Sequence, residues 1–385
     1  MEKYVILHIT KDDKFFDDVF ARFESDLRLE NYALLAVNKV SGYSFRRIKR
    51  TDKVTLVTSK GMKDELRGGD YNAVFFHSLT YEEYQWVPYI PKGKTVIWWM
   101  WGMDVYNSVR GMRPLIEIQL YKPATELALC ELRKTGWGIL KEMIKDASCL
   151  LSVFLRRKIL GRIDYFQPVL PIEYKIMSGQ IGFHAKEFYY PGSFDWNEKV
   201  SYSLKSSAGS VIVGHSQSPC DNHLDVWNDV KGFIPAKRRV FFPISYLGNQ
   251  DYADYICKEI YSDQHELIFL REYLPKEEYF KLMEGCSYAI YGMMRQQAMG
   301  NVWFCISQGI KVFLYRDSIV YKYLKNAGYV VYSIEGIDDA SFENPLTKEE
   351  VLQNARALNN EARYRGVISE KSIEELLRQM ERDYK

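Results

Sequence analysis

The first half of the chain alternates short apolar runs with amphipathic stretches, which predicts strands separated by helices. Stretches 15–28 and 60–67 have helical spacing. The predicted strands are residues 4–9, 32–37, 54–58, 73–76, 95–99 and 167–170. Such alternation is typical of a parallel, doubly wound α/β sheet with helices on both faces.

The same pattern begins again after a polar, serine-rich stretch at 198–209, the best linker candidate. The strands predicted there are 210–213, 239–243 and 267–270, and the helices begin at about 224, 251 and 276. Residues 287–316 then give a strand, a polar loop, a helix and a second strand. We therefore predict two α/β domains, 1–197 and 198–346, followed by charged helices at 347–385 that could pack back on the first domain.

Composition narrows the class of protein without giving its activity. The net charge of +2 argues against a nucleic-acid-binding protein. The six cysteines have neither a Cys-x-x-Cys pair nor Cys/His ligand spacing, which favours reduced thiols in a cytosolic compartment. The longest apolar run, residues 96–103, is too short to span a membrane, and the charged N-terminal residues are unlike a secretion signal.

Residues 109–162 differ from the rest of the chain in their charge. They contain 11 Lys and Arg against 5 Asp and Glu, interleaved with apolar and aromatic side chains in helical periods. Basic amphipathic helices of this kind bind anionic membrane surfaces. A solvated basic face over an ordinary core would give the same pattern, and the sequence does not decide between the two.

The polar loop within 287–316 carries the chemistry around which the second domain is organised. It contains Arg295, Gln296, Gln297, Gly300 and Asn301. Ligands of open α/β sheets collect at this edge, and a helix N-terminus favours an anion there. Arginine adds a bidentate fork that suits phosphate. The loop predicts a pocket for the diphosphate of a nucleotide-linked ligand, although an ordinary β–α loop with a surface Arg would look the same.

A second turn of this kind follows the strand at 210–213. Gly214 allows a close approach of the backbone, and His215 and Ser216 add polar side chains before the next helix. Many β–α loops look like this, but two such turns at one edge of a domain indicate a ligand site more strongly than either turn alone. Tyr273, in the loop after another strand, could stack on a nucleotide base, but an exposed loop tyrosine needs no such role.

The first domain offers two candidates for a general base. His77 ends the strand at 73–76, and Asp104 follows Trp101 and Gly102 after the strand at 95–99. A carboxylate or imidazole in a partly dry cleft can activate a hydroxyl group. The ordinary alternatives are a strand-end histidine and an aspartate that caps a turn. The sequence has no Walker loop, Gly-x-Ser-x-Gly, metal-ligand cluster or Asp-x-Asp, so neither a metal nor a cofactor is expected.

Several of these groups resemble stretches of the bacterial TDP-N-acetylfucosamine:lipid II N-acetylfucosaminyltransferases, glycosyltransferase family 56. The family motifs read roughly FFHG, WHIWGADLY, VGNS…NEH, a PxxY turn and RQQGIGT. The matching residues here are 75–77, 98–106, 213–216 with Asn222 and His223, 243–246, and 295–301. The matches keep this order over roughly residues 70–325.

The sequence departs from the family motifs at three of the matched positions. Ser78 stands where the family has Gly, His215 where it has Asn, and Asn301 where it has Thr. These departures concern the identity of the donor sugar and the acceptor rather than the type of reaction.

The resemblance implies the GT-B architecture, in which two Rossmann-like, doubly wound domains face a cleft. The N-terminal domain would take the acceptor, with Trp101 and Gly102 on that side and Asp104 or His77 as the catalytic group. The C-terminal domain would take the nucleotide sugar without a metal. The donor-binding residues would be Gly214, His215, Ser216, Asn222, Tyr246, Tyr273, Arg295, Gln296, Gln297, Gly300 and Asn301.

The function implied is transfer of a deoxyamino sugar, such as N-acetylfucosamine (4-acetamido-4,6-dideoxygalactose). The donor would be a dTDP- or UDP-sugar and the acceptor a polyprenyl-diphosphate-linked saccharide used in bacterial surface polysaccharide. The enzyme would lie peripherally on the anionic inner face of the plasma membrane. Two other interpretations stay open: a sugar-nucleotide epimerase of similar two-domain shape, and a non-catalytic nucleotide-sugar-binding protein.

Overall fold

The computed structural model describes residues 3–106, 114–132 and 157–383, so most of the basic segment 109–162 lies outside the described residues. The chain divides into two compact units. Of the described residues, the first unit contains 3–106, 114–117, 157–193 and 363–383. The second unit contains 118–132 and 194–362.

The first unit is built on a seven-stranded parallel sheet. Its strands are β1 (Tyr4–Thr10), β2 (Leu29–Ala36), β3 (Val54–Val57), β4 (Ala73–Phe76), β5 (Thr95–Trp99), β6 (Tyr165–Gln167) and β7 (Lys186–Glu187). They lie in the order β3-β2-β1-β4-β5-β6-β7. All four residues of β4 are buried, because a parallel sheet covered on both faces requires a continuous apolar run.

The second unit is built on a six-stranded parallel sheet. Its strands are β8 (Ser210–Val213), β9 (Arg239–Pro243), β10 (Glu266–Leu270), β11 (Cys286–Tyr291), β12 (Lys311–Leu314) and β13 (Tyr332–Ser333). They lie in the order β10-β9-β8-β11-β12-β13. All six residues of β11 are buried in the middle of this sheet.

Helices connect the strands in both units. In chain order they are α1 (Phe16–Glu24), α2 (Ser59–Gly68), α3 (Tyr81–Tyr84), α4 (Met103–Tyr106), α5 (Pro123–Leu132), α6 (Pro171–Met177), α7 (His223–Val230), α8 (Gln250–Glu259), α9 (Lys276–Glu284), α10 (Met299–Ser307), α11 (Ile319–Asn326) and α12 (Lys348–Asp383). Strands and helices alternate in each unit, which confirms the predicted doubly wound α/β fold class.

Each sheet has a topological switch point beside its first strand. In the first unit β1 lies between β2 and β4, and in the second β8 lies between β9 and β11. The chain therefore leaves the first strand in one direction and later returns on its other side, which opens a crevice outside the carboxyl ends of the two neighbouring strands. Any ligand site of these sheets is expected beside β1 and β4, or beside β8 and β11.

The division of the chain differs in detail from the predicted domains. Residues 118–132 go with the second unit, because the backbone N–H groups of Ala124 and Thr125 donate to the Asp225 carboxylate at 2.8 and 2.9 Å. Helix α12 is shared by the two units. Its side chains Ile373 and Leu376 belong to the apolar core of the first unit.

One predicted strand is wrong. The apolar run 167–170 is not a strand, and β6 instead covers Tyr165–Gln167. Pro168 has no N–H group to donate to a neighbouring strand, so pairing stops before it. The chain then enters α6, where the Glu173 carboxylate accepts a 2.8 Å hydrogen bond from the backbone N–H of Leu170. The run therefore leads into a helix N-terminus.

Candidate functional site

The turn after β8 requires glycine at its first position. Gly214 has a φ of +72°, a conformation that other residues rarely adopt. A Cβ atom at this position would lie 2.6 Å from Nε2 of His223. The glycine thus lets the backbone pass against the first residue of α7, at the switch point of the second sheet.

A buried carboxylate organises the same turn. Asp221 Oδ1 lies 2.7 Å from Nδ1 of His215, and Asp221 Oδ2 accepts hydrogen bonds from the hydroxyl and backbone N–H of Ser216 at 2.7 and 3.1 Å. The amide nitrogen of Gln297, from the loop after β11, lies 3.3 Å from Nε2 of His215. The predicted residues His215, Ser216 and Gln297 are therefore brought together by Asp221, which the sequence analysis did not assign to the site.

The pKa values of two buried groups at this turn, Asp221 and His223, both lie below their ordinary values. Burial by itself raises the pKa of Asp221, but the charge and hydrogen bond of His215 and the hydroxyl of Ser216 hold that pKa below its ordinary value. Burial lowers the pKa of His223 to about 4. Asp221 is consequently an anion at neutral pH and His223 is uncharged. Both ring nitrogens of His223 are buried without a hydrogen-bond partner among the described residues.

Asn222 joins the two predicted loops through the backbone. Its side-chain amide donates to the carbonyl oxygens of Leu120 and Gly292 at 3.1 and 2.8 Å, and its oxygen accepts from the backbone N–H of Lys122 at 2.8 Å. The residue itself is in the left-handed conformation, with a φ of 49°. The structure thus places this predicted donor-binding side chain in backbone contacts that hold the turn against the loop after β11.

Arg295 is buried without a carboxylate partner among the described residues. Its side chain is only 7% exposed, and one guanidinium nitrogen donates to the backbone carbonyl of Gln296 at 2.9 Å. Its Nε has no partner in the described part of the chain, and neither do the side-chain oxygens of Gln296 and Gln297. Native proteins satisfy most buried polar atoms, so this concentration of unsatisfied atoms in three consecutive residues is unusual.

The helix that follows this loop begins without a side-chain cap. Ala298 is in the left-handed conformation (φ 54°) at the N-cap of α10, so the first N–H groups of the helix have no capping side chain. Gly300 is exposed in the first turn, and the Asn301 amide donates to the hydroxyl of Tyr279 at 3.3 Å. The uncapped N-terminus favours an anion, as the sequence predicted for this edge.

The predicted tyrosines lie together after β9 and β10. The rings of Tyr246 and Tyr273 are 6.4 Å apart, and Tyr273 is 62% exposed. The backbone carbonyl of Tyr246 accepts a 3.0 Å hydrogen bond from the N–H of Gln217, which links this pair to the turn after β8. An exposed ring at this edge can stack on a flat ligand.

In the first unit, the structure places His77 beside a second histidine. Nε2 of His77 lies 3.1 Å from Nδ1 of His8, whose other ring nitrogen lies 3.1 Å from the Asn31 side chain. Burial lowers the pKa of His77 well below its ordinary value and that of His8 to about 4. Both rings are therefore neutral and lie at the switch point of the first sheet, where Nδ1 of His77 has no partner among the described residues.

Asp104 holds the backbone after β5. Its carboxylate accepts hydrogen bonds from the indole N–H of Trp98 at 2.8 Å and from the backbone N–H groups of Leu79 and Trp101 at 3.2 and 3.1 Å. Burial raises its pKa, while these three donors oppose the increase. Both oxygens are occupied, which is the arrangement expected of a structural aspartate. Gly102 has a φ of +89°, which the turn requires.

Asp13 is a candidate that the sequence analysis missed. It lies just after β1, and burial raises the pKa of its carboxyl group to about 6. One carboxylate oxygen accepts from the backbone N–H groups of Phe15 and Phe16, and the other is 3.3 Å from the hydroxyl of Thr10. A pKa near the working pH suits a general base. The only signal in the sequence was its position after the first apolar run.

Trp101 lies close to the loop that contains Asp13. Its ring is 5.0 Å from that of Phe15, and its indole nitrogen is buried without a partner among the described residues.

Within the described parts of the chain, no cluster of three or more His, Cys, Asp or Glu side chains is arranged to hold a metal ion. No described helix is both long and apolar enough to cross a membrane.

Three solved structures have the same overall fold at low sequence identity. AviGT4, a glycosyltransferase involved in avilamycin A biosynthesis, is 12% identical, with 98% of each chain covered and a TM-score of 0.50. Sucrose-phosphate synthase from Thermosynechococcus elongatus is 8% identical, with 99% of each chain covered and a TM-score of 0.55. HepE from Anabaena, solved with UDP-glucose, is 10% identical, with 99% and 98% covered and a TM-score of 0.53.

These similarities confirm the predicted GT-B fold, with two parallel sheets that are each flanked by helices. The sequence itself carries a more specific relationship. Residues 159–353, just over half of the 385-residue chain, match the family described as 4-alpha-L-fucosyltransferase, glycosyl transferase group 56. The match spans α6, the whole second sheet and the Arg295 loop. The chain therefore belongs to glycosyltransferase family 56, and it is a GT-B glycosyltransferase whose family implies a nucleotide-sugar donor.

Proposed function

We propose that this enzyme transfers a deoxyamino sugar, such as N-acetylfucosamine, from a dTDP- or UDP-linked donor to a polyprenyl-diphosphate-linked saccharide. One observation carries the donor half of this proposal. Arg295 is a buried guanidinium with an unsatisfied Nε and no carboxylate partner among the described residues, at the switch point of the second sheet.

A buried, unpaired cation is costly unless a ligand compensates it. Removing an ion from water costs several kcal/mol even after the protein relaxes. A diphosphate supplies the missing negative charge, and its oxygens fit the planar fork of a guanidinium. The unsatisfied oxygens of Gln296 and Gln297 would then accept hydrogen bonds from the hydroxyl or amide groups of the donor.

The same groups would assist the chemical step. As the bond between the sugar and the diphosphate breaks, negative charge accumulates on the leaving phosphate. Arg295 and the uncapped N-terminus of α10, with Gly300 and Asn301 in its first turn, would stabilise that charge. Tyr246 and Tyr273 would contact the base of the donor by stacking. This arrangement works without a metal ion, so we propose a metal-independent reaction.

We assign the acceptor to the edge of the first sheet. Asp13 is the carboxylate there whose raised pKa best suits it to accept the proton of the acceptor hydroxyl. Asp104 would orient the acceptor indirectly, because it fixes the backbone of Trp101 beside Gly102. His77 is a neutral imidazole in the same region and would act as a hydrogen-bond partner rather than as a strong base.

The basic segment 109–162 supports a peripheral position on the inner face of the plasma membrane. Its 11 basic against 5 acidic residues would be attracted to anionic lipids, where a polyprenyl-linked acceptor is found. Co-sedimentation with vesicles tests this part of the proposal. Equal binding to neutral and anionic vesicles would contradict an electrostatic attraction.

A nucleotide-binding screen tests the donor site. Calorimetry and thermal shift would compare dTDP, UDP, GDP and CMP, with and without Mg²⁺, on the wild type, on Arg295→Ala and on Arg239→Ala as an exposed control. We expect dTDP or UDP to bind without metal and Arg295→Ala to lose about ten- to hundredfold in affinity, since a hydrogen bond to a charged group contributes about 1.5–3 kcal/mol. Binding that survives Arg295→Ala unchanged would refute the assignment. A free epimer formed without any acceptor would favour an epimerase.

A further inference from the structure

The strongest feature of the second unit beyond Arg295 is the buried pair His215 and Asp221. Their side chains are 7% and 0% exposed, and Nδ1 of His215 lies 2.7 Å from Oδ1 of Asp221. The other oxygen of Asp221 accepts two hydrogen bonds from Ser216. The carboxylate therefore fixes both the position and the orientation of the imidazole ring, with its Nδ1–H directed at Asp221.

Asp221 is a buried anion, and few of the groups around it can supply a positive charge. The groups that act electrostatically on Asp221 are His215 and His223, and it acts in turn on the phenols of Tyr252 and Tyr279. Burial keeps His223 neutral and raises the pKa values of both tyrosines, so none of these three carries charge at neutral pH. Among the described residues, no lysine or arginine forms an ion pair with Asp221. His215 is thus the side chain placed to carry the compensating positive charge.

The second ring nitrogen of His215, Nε2, faces the side-chain amide of Gln297, which can present either its nitrogen or its oxygen. Nε2 of His215 lies 3.3 Å from the amide nitrogen of Gln297, while the amide oxygen of Gln297 has no partner among the described residues. An uncharged His215 accepts a hydrogen bond from this amide. A protonated His215 must donate from Nε2 instead, either to the Gln297 oxygen after the amide turns over or to a ligand oxygen.

We infer that His215, oriented by Asp221, binds as an imidazolium and donates a hydrogen bond from Nε2 to the leaving phosphate of the nucleotide donor. In the transfer step the acceptor oxygen forms a bond to C1 of the sugar, and the bond from C1 to the phosphate oxygen breaks. The electron pair of that bond leaves with the nucleoside diphosphate, and the acceptor hydroxyl gives its proton to a base. The added charge on the phosphate oxygen is the charge that the imidazolium neutralises.

This inference rests on the proposed donor site. It adds to that site a side chain, His215, that must be protonated in order to donate to the phosphate. Arg295 is charged at all working pH values, whereas His215 acquires its charge only with a proton. Donor binding by the wild type would therefore take up a proton under conditions in which His215 of the ligand-free protein is uncharged. Asp221 is a positioning residue in this scheme, since it acts through His215.

The decisive experiment measures protons taken up on nucleotide binding. UDP and dTDP would be titrated into the full-length protein by calorimetry in buffers of different ionisation enthalpy between about pH 6 and 9. The variants are His215→Asn, which keeps a hydrogen-bonding amide without a titratable group, and His265→Asn as a control. His265 contacts Ser262 and the carbonyl of Ile234, away from the Asp221 network. We expect proton uptake by the wild type and the control, and none by His215→Asn.

Steady-state transfer rates provide the second readout. We expect His215→Ala, which removes the Nε2 donor, to lower kcat about a hundredfold, as removal of one preorganised transition-state donor does. His215→Asn, whose amide still donates a hydrogen bond but carries no charge, should lower kcat less. Asp221→Asn removes the carboxylate that orients the imidazole ring, so it should also lower kcat. If that variant does not fold, the His215→Asn comparison still decides.

The outcomes separate this inference from the proposed function. If no nucleotide binds the wild type, the donor site itself is wrong. If nucleotide binds, Arg295→Ala weakens it, and His215→Asn takes up as many protons as the wild type, then the donor site stands and the role of His215 is overturned.

Discussion

The side-chain amide of Asn222 donates a 2.8 Å hydrogen bond to the backbone carbonyl of Gly292. This bond joins the turn after β8 to the loop after β11, across the switch point where both candidate donor loops begin. The two loops also approach closely through the backbone, because a Cβ atom on Gly292 would lie 2.2 Å from the carbonyl oxygen of Asp221. The shape of the candidate donor site is thus set by backbone contacts that leave no room for a side chain.

We predict that Asn222→Asp destabilises the protein. The substitution replaces an amide donor by a carboxylate beside the carbonyl oxygens of Leu120 and Gly292, so donors are lost and oxygens repel one another. The free energy of unfolding should fall by about 3 kcal/mol, measured by urea denaturation. Asn228→Asp, at an exposed position of α7, should change it little. Unchanged stability together with lost nucleotide affinity would instead make Asn222 a direct ligand contact.

We predict that Arg295→Met does not destabilise the ligand-free protein. The wild type buries a guanidinium with an unsatisfied Nε, so a methionine of similar length should raise the free energy of unfolding by about 1 kcal/mol. Arg238→Met is the matched control. Arg238 donates a 2.7 Å hydrogen bond to the carbonyl of Gly209, so its replacement should lower the free energy of unfolding. The variant should also lose the stabilisation that saturating dTDP or UDP gives the wild type. A clear loss of ligand-free stability would show that Arg295 is structural.

We predict that Asp13 sets the acidic limb of the pH–rate profile. With its pKa raised to about 6 by burial, the carboxyl group is ionised and able to accept a proton only above that pH. Asp13→Asn should lower kcat about 10²- to 10⁴-fold and remove the limb near pH 6. Asp18→Asn, on the exposed face of α1, serves as a control.

The corresponding variant of Asp104 distinguishes the two carboxylates. Asp104→Asn disturbs three hydrogen bonds, and we expect it to lower thermal stability more than Asp13→Asn does. A large loss of rate in Asp104→Asn at unchanged stability, with an ordinary acidic limb in Asp13→Asn, would return the role of base to Asp104.

We predict that Glu173 makes the protein less stable at alkaline pH. Burial raises its pKa from 4.5 to about 8, so the native state binds this proton more tightly than the unfolded chain. The free energy of unfolding therefore falls as the pH rises from 4.5 to about 8, and the loss is complete above that range. Glu173→Gln should remove this dependence and be the more stable form at about pH 9 by about 3 kcal/mol.

The control for this prediction is the stability of Glu173→Gln at low pH, where the wild-type carboxyl group is protonated in both the native and the unfolded state. Gln keeps an oxygen that can accept from the Tyr106 hydroxyl or the Leu170 backbone, so at about pH 4 the two proteins should have similar stability. Urea denaturation at several pH values measures the difference. A wild type whose stability rises between about pH 5 and 8 would contradict the assigned direction of the pKa shift.

Most strands of the two sheets, and the order of the loops between them, could be predicted from the sequence. Buried parallel strands need continuous apolar runs, and runs such as 73–76 and 210–213 contain that information locally. Because the alternation of strands and helices puts every β–α loop at the carboxyl edge of its sheet, the pattern alone placed the polar loop with Arg295 at the ligand edge. The strand at 167–170 was misplaced because an apolar run containing a proline looks the same whether it ends a strand or opens a helix.

The tertiary structure decided which polar side chains are available and which are occupied. Asn222 and Asp104 are engaged in hydrogen bonds with backbone groups, while Asp221 holds the hydroxyl of Ser216 and burial raises the pKa of Asp13 to about 6. The pKa shifts and hydrogen bonds that separate them depend on burial and on partners from distant parts of the chain. His215 meets Gln297 only because β8 and β11 are neighbours in the sheet, a contact between residues far apart in sequence that no local pattern encodes.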